Sequence, residues 1–135
     1  MHHLPDTPLD PEDTYVHLAT DGTSRATPGG PAFWSMPAPE MARFDEGWLI
    51  SEFTCDEDWA NWEMHPYGDE FVYLLSGEVE MQLDLPSGVT STRIVGRGAI
   101  LVPRGIWHTA KVFRPSCMLF VTRGGGTQHR SASRT

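Results

Sequence analysis

Between residues 48 and 122 the chain alternates apolar and polar positions with a period of two, broken every 6 to 12 residues by turn chemistry. The pattern predicts strands over residues 48–53, 59–65, 70–75, 78–83, 92–95, 99–102, 107–113 and 117–122. Ser76-Gly77, Gly96-Arg97-Gly98 and Arg114-Pro115 read as the turns or breaks between them, and residues 84–91 as a loop. No stretch of helical length shows 3.6-residue periodicity. Short, evenly spaced strands of this kind argue for an all-β sandwich or barrel. Val72, Leu74, Val79, Met81, Leu83, Ala110 and Val112 form the expected inward set. Trp62 and Trp107 point outward by the same alternation, and Tyr73 is read as a packing group.

The flanks read differently. Residues 1–32 carry prolines, acids and a Gly/Pro-rich turn segment, and predict an N-terminal arm with one short apolar element near Tyr15 to Ala19. Residues 33–44 place aromatic and Met side chains between prolines, which suits a segment wrapped over a sheet. Residues 124–135 are Gly, Ser, Thr and Arg with no core-forming content, and predict a disordered tail. The chain therefore divides into an arm (1–32), a β domain (33–123) and a flexible tail (124–135).

Charge and composition remove several function classes. The formal net charge is -8, and residues 1–72 hold 15 acids against two Arg. That imbalance repels a nucleic-acid backbone, so no nucleic-acid partner is expected. No apolar run is long enough to span a membrane and the start has no signal-peptide core, so the expected location is the cytoplasm. Cys55 and Cys117 could form one disulfide, but no Cys-x-x-Cys pattern occurs, and Cys117 reads as a buried free thiol. A domain this small leaves apolar area for a partner to cover, such as a second copy in a homodimer.

Candidate chemistry sits at two places. Period two puts Glu63 and His65 on one strand face, and a four-residue turn leads to Glu70. His108 opens a later strand after Pro103-Arg104-Gly105. Two imidazoles and a carboxylate on adjacent strands can hold a divalent metal with open coordination positions. His65 as a turn residue and His108 as a half-buried core histidine are the structural alternatives. Asp69 reads as a solvated turn acid and His17 as a surface residue, while His2, His3 and His129 lie in the loose ends.

These segments resemble the two signatures of the cupin superfamily. The first, Trp-Glu-Met-His-Pro-Tyr-Gly-Asp-Glu-Phe-Val-Tyr-Leu-Leu-Ser-Gly at 62–77, places His65, Glu70 and Gly77 at the family spacing. The second, Gly-Ala-Ile-Leu-Val-Pro-Arg-Gly-Ile-Trp-His at 98–108, matches Pro103, Gly105 and His108, with one residue fewer between Gly98 and Pro103. The resemblance implies a double-stranded β-helix, or jelly-roll, barrel. It implies a metal held by His65, Glu70 and His108. Glu63 stands where the family has its first His, and Val112 where it has Asn. Glu63 is thus a fourth metal ligand, a catalytic acid–base group or a substrate contact. Fe(II), Mn, Zn or Ni fits such donors. The implied function is binding of a divalent metal and a small organic molecule, with oxygenase or isomerase chemistry. The alternatives are a metal- or ligand-sensing protein without turnover and a metal-free interaction protein.

Overall fold

The structure is a computed structural model, and it describes residues 7–132. Nine strands carry the fold: β1 (Thr14–Leu18), β2 (Ser24–Pro28), β3 (Trp48–Cys55), β4 (Asn61–Met64), β5 (Glu70–Leu85), β6 (Gly88–Val95), β7 (Gly98–Val102), β8 (Trp107–Thr122) and β9 (Gln128–Ser131). Two one-turn helices, α1 (Pro31–Trp34) and α2 (Ala38–Met41), and a 3-10 turn at Ala42–Phe44 lie between β2 and β3.

β5 and β8 are the spine. Each runs 16 residues, and they pair antiparallel along both halves. The expected turn at Ser76-Gly77 and the expected break at Arg114-Pro115 are both inside continuous strands. There the register shifts between Leu74 and Val79, and the strands bend together. The bulge also resets the alternation. Val72 and Leu74 are buried before it, and Val79 and Met81 after it, so one strand presents even positions and then odd positions to the core. Gly77 makes the bend at φ 108°, where a Cβ would meet the Ser116 Cα at 2.6 Å and the Pro115 carbonyl at 2.7 Å. The segment expected as a loop at 84–91 is a tight β5–β6 hairpin that pairs Leu85 with Gly88.

The barrel expectation is not met. The pairing order is β2-β1-β3-β8-β4-β9, with β5 pairing β6, β7 and β8 off that path. No pairing joins β2 to β9, so the sheet is folded but open. β4 touches β8 through the single register pair Glu63–His108, and turns its other edge to β9. The tail expected to be disordered supplies that strand, which is a second correction. The residues of β9 are exposed and polar; backbone pairing to Asn61–Met64 orders them, not apolar burial. The Gly/Ser/Thr composition contains no sign of this.

The main core gathers Val72, Leu74, Val79, Met81, Ile94, Val102, Ala110 and Met118, with Leu83 and Val112 packed at its margin. A second cluster holds Tyr15, Phe33, Phe44 and Leu49, so the N-terminal segment packs on the sheet through its aromatic rings. β1 pairs with β3 and β2 with β1, which makes the turn-like residues 24–28 a strand. His17, expected at the surface, is buried: its Nε2 lies 2.6 Å from the Glu46 carbonyl and its ring meets Phe44 edge-on. Cys55 and Cys117 are free thiols. Cys117 is half-buried rather than enclosed, with its Sγ 2.9 Å from Glu52 Oε2. Among the described residues no helix is long and apolar enough to cross a membrane.

Candidate metal centre

Glu63 lies in β4, and His65 one residue past its end. The Gly105 amide donates to the His65 carbonyl at 2.8 Å, which ties the Pro103–Gly105 turn to the His65 backbone. Glu70 is the first residue of β5, opposite Val102. His108 is the second residue of β8, directly across from Glu63. Four side chains separated by up to 45 positions thus converge on one end of the folded sheet.

Their inner atoms are close. Glu70 Oε1 lies 3.0 Å from His108 Nε2 and 3.4 Å from His65 Nε2. Glu63 Oε1 lies 3.8 Å from His65 Nε2. One donor atom each from Glu63, His65 and His108 falls within 4.8 Å of the others, which makes these three residues a set able to hold a metal ion. His108 is wholly enclosed and His65 and Glu70 are buried.

The outer atoms fix what the inner ones can do. His108 Nδ1 lies 3.1 Å from the Ile106 carbonyl, which can only accept, so Nδ1 carries the proton. His65 Nδ1 lies 2.8 Å from Thr127 Oγ1, and that hydroxyl donates to the Gly124 carbonyl at 2.7 Å. Its oxygen is left to accept from Nδ1–H. In both neutral rings, therefore, Nε2 offers a lone pair inward. Thr122 Oγ1 donates to Glu70 Oε2 at 2.6 Å, which turns Oε1 inward as well. His65 Nε2, His108 Nε2 and Glu70 Oε1 are buried without a hydrogen-bond partner. Lone pairs facing one another in a buried site call for a cation between them. The donor set fits a divalent ion.

Electrostatics agree. Burial alone would raise the Glu70 carboxyl, but the facing His108 and His65 rings outweigh it and hold it down at about 2. Burial pushes His108 toward the neutral form, yet Glu70 dominates and raises it above its ordinary value. Without a metal, the proton takes the cation's place at His108.

The site opens into a cavity of about 880 Å³. His65, Glu70, Glu63, Trp59 and Phe120 line it, and Tyr15, Phe33 and Phe44 give it a wall from the N-terminal segment. That wall belongs to residues read from the sequence as an arm and a wrapping segment. Asp69 accepts the Arg104 amide at 2.8 Å and is a turn residue, as its sequence context suggests. Trp62 and Trp107 face outward under the Arg130 guanidinium, 5.4 and 4.5 Å from the ring centroids.

Two residues near the centre are invisible to strand logic. Thr127 holds His65, and His129 of β9 pairs in register with Glu63, its Nε2 3.5 Å from Glu63 Oε2. The weak signal for both is a threonine and a histidine within a Gly-rich segment.

No protein-family model matches the chain, and no curated protein sequence does. Solved structures do. Peruvianin-I, a cysteine peptidase from Thevetia peruviana latex, superposes at TM-score 0.53 and 13 % identity over 63 % of this chain and 56 % of its own. Bacillus subtilis oxalate decarboxylase, described with Mn(II) centres, superposes at TM-score 0.51 and 18 % identity over 63 % of this chain and 24 % of its own. A cupin superfamily protein from Desulfitobacterium hafniense gives TM-score 0.48 and 23 % identity over 56 % of this chain and 65 % of its own. Over 63 % of its length the chain shares the fold of the first two of these proteins. The chain spans less than two thirds of the length of each of these three proteins. Its sheet is open, and it carries Glu63 where the signature has its first His.

Proposed function

We propose that this protein, whose two signature segments and fold are cupin-like, is a divalent-metal-dependent enzyme acting on a small organic molecule with a largely apolar body. The observation that carries the reading is the convergence of His65 Nε2, His108 Nε2 and Glu70 Oε1, buried without hydrogen-bond partners, beside a cavity that His65 and Glu70 line. His65, His108 and Glu70 would hold the ion, with Glu63 Oε1 as the fourth donor. Fe(II), Mn, Zn and Ni all accept two imidazoles and carboxylate oxygen. A divalent ion bound there supplies Lewis-acid polarisation of a ligand oxygen.

Glu63 does a second job in this reading. It is the most exposed of the four, its side chain 33 % accessible; it lines the cavity, and its Oε2 faces His129. Oε2 is the atom placed to accept a proton from a bound substrate, and His129 is placed to steady the carboxylate while it does so. The aromatic walls exclude water from the apolar part of the ligand and orient it toward the histidines.

Proton transfer at Glu63 favours isomerisation. Oxygenation is the second reading, supported by the two-His, one-carboxylate donor set. The test incubates metal-loaded protein with a panel of chelating hydroxy- and oxo-compounds in D2O, followed by NMR and by an oxygen electrode. Deuterium incorporation that is lost in Glu63→Gln supports isomerisation, and oxygen uptake supports oxygenation. Neither signal with any compound that binds contradicts turnover and leaves a metal-dependent binding protein.

A further inference from the structure

Six carboxylates line the cavity, and no Lys or Arg does among the described residues. Glu63 and Glu70 belong to the metal centre, where a divalent ion balances their two charges. Asp45, Asp56, Glu57 and Asp58 remain uncompensated. They are exposed, and none has a salt-bridge partner among the described residues. Only Asp58 is otherwise engaged, accepting the Val112 amide at 2.8 Å.

Much of the apolar lining is aromatic. Tyr15, Phe33, Trp34 and Phe44 form one mutually packed group, with centroid distances of 5.3 Å for Tyr15–Phe33, 4.8 Å for Phe33–Trp34 and 5.1 Å for Phe33–Phe44. Trp59 and Phe120 form the second, 5.8 Å apart beside His108. Ring faces carry negative potential and attract cations. The Arg43 guanidinium already sits 5.7 Å over the Phe44 ring without lining the cavity.

We infer that the ligand of this site is a small organic cation: an amine on an aromatic or apolar body, with no free acid group. The inference rests on the reading of the cavity as a ligand site and deepens it. Carboxylates and rings both favour an ammonium group there. An anionic ligand would meet four unbalanced acids and no Lys or Arg, and the two lining imidazoles, His65 and His129, already face Glu70 and Glu63. The buried, unpartnered His65 Nε2 and Glu70 Oε1, whose side chains also line the cavity, mark it as built for occupancy independently of the exposed acids.

The test uses three matched probes on the protein as purified, at pH 7.5: 2-phenylethylamine, 2-phenylethanol and phenylacetate. Binding is followed by tryptophan fluorescence and calorimetry. The expected order is amine, then alcohol about fivefold weaker, then carboxylate weaker still. Raising NaCl to about 1 M should compress the order, because exposed charges are screened. The double variant Asp56→Asn/Glu57→Gln, which spares the bonded Asp58, should bring the amine and the carboxylate closer together. Carboxylate or alcohol binding as tightly as amine overturns the inference, and so does the absence of binding by all three. Metal retention is measured separately on the same preparation by elemental analysis. Loss of metal with the probe order intact refutes the metal reading alone; metal retained with the order absent refutes this one alone.

Discussion

Thr127 Oγ1 accepts from His65 Nδ1 at 2.8 Å while donating its own hydrogen to the Gly124 carbonyl at 2.7 Å. One hydroxyl in the C-terminal segment thereby sets the tautomer of a histidine 62 positions earlier. Partners of this kind orient ligands and raise their basicity, and their loss costs roughly 10- to 100-fold in metal affinity. Thr127→Val should weaken metal binding by about tenfold with an unchanged far-UV spectrum, while Thr127→Ser should restore it. Competition titration against a chromogenic chelator measures both. Equal affinity in all three proteins would remove Thr127 from the centre.

Glu63 is expected to separate binding from turnover. Glu63→Gln keeps an oxygen donor and loses the basic one, so metal affinity should fall only a few-fold. Turnover, once a substrate is found, should fall about 100-fold or more. His129→Gln should produce a smaller loss, seen in kcat rather than KM. A Glu63→Gln protein that binds no metal would make Glu63 a required ligand and remove the proton role.

Much of the centre is legible in the sequence because its geometry is local. Strand alternation puts Glu63 and His65 on one face, and a short turn returns Glu70 to them. The alternation that buries Val72, Leu74, Val79 and Met81 is equally plain, even though a bulge and not a turn joins the two halves. The rest depends on pairing between distant segments. β9 adds to β4 by backbone hydrogen bonds, which leave no apolar trace in Gln-His-Arg-Ser. The open sheet follows from which edges remain unpaired, and alternation does not encode that. The N-terminal segment forms a cavity wall because Phe33 and Phe44 pack in one cluster with Tyr15 and Leu49, residues that span 34 positions of the chain.

Gly77 is the hinge of the long strands. At φ 108° an L side chain is strained, and its Cβ would run into Ser116 and Pro115. Gly77→Ala should destabilise the protein by about 3 kcal/mol. Urea unfolding should show the loss as a lower midpoint with an unchanged m-value. Gly88→Ala is the control: its φ is also positive, at 125°, but a Cβ there meets nothing, so its cost should be smaller.

The metal-free protein should be most stable in mild acid. Glu70 is held down from 4.5 to about 2, so its contribution, roughly 3 kcal/mol, is present above 4.5 and lost as pH falls toward 2. His108 is raised above 6.5, so its contribution is present below 6.5 and lost as pH rises through its folded value. Thermal melts with EDTA should give a stability maximum between those limits. Adding metal should remove the loss on the alkaline side, because the ion replaces the proton. A metal-free protein whose stability rises steadily from pH 5 to 9 would contradict the arrangement.

The central claim is that His65, His108 and Glu70 hold a divalent ion, and elemental analysis tests it most directly. Protein is stripped with EDTA, offered Fe(II), Mn(II), Zn(II) and Ni(II) in turn, desalted and measured for metal per chain. The expected result is close to one equivalent of at least one ion, lost in His108→Ala and in His65→Ala. No retained metal in the unmodified protein, or full retention in His108→Ala, would contradict it.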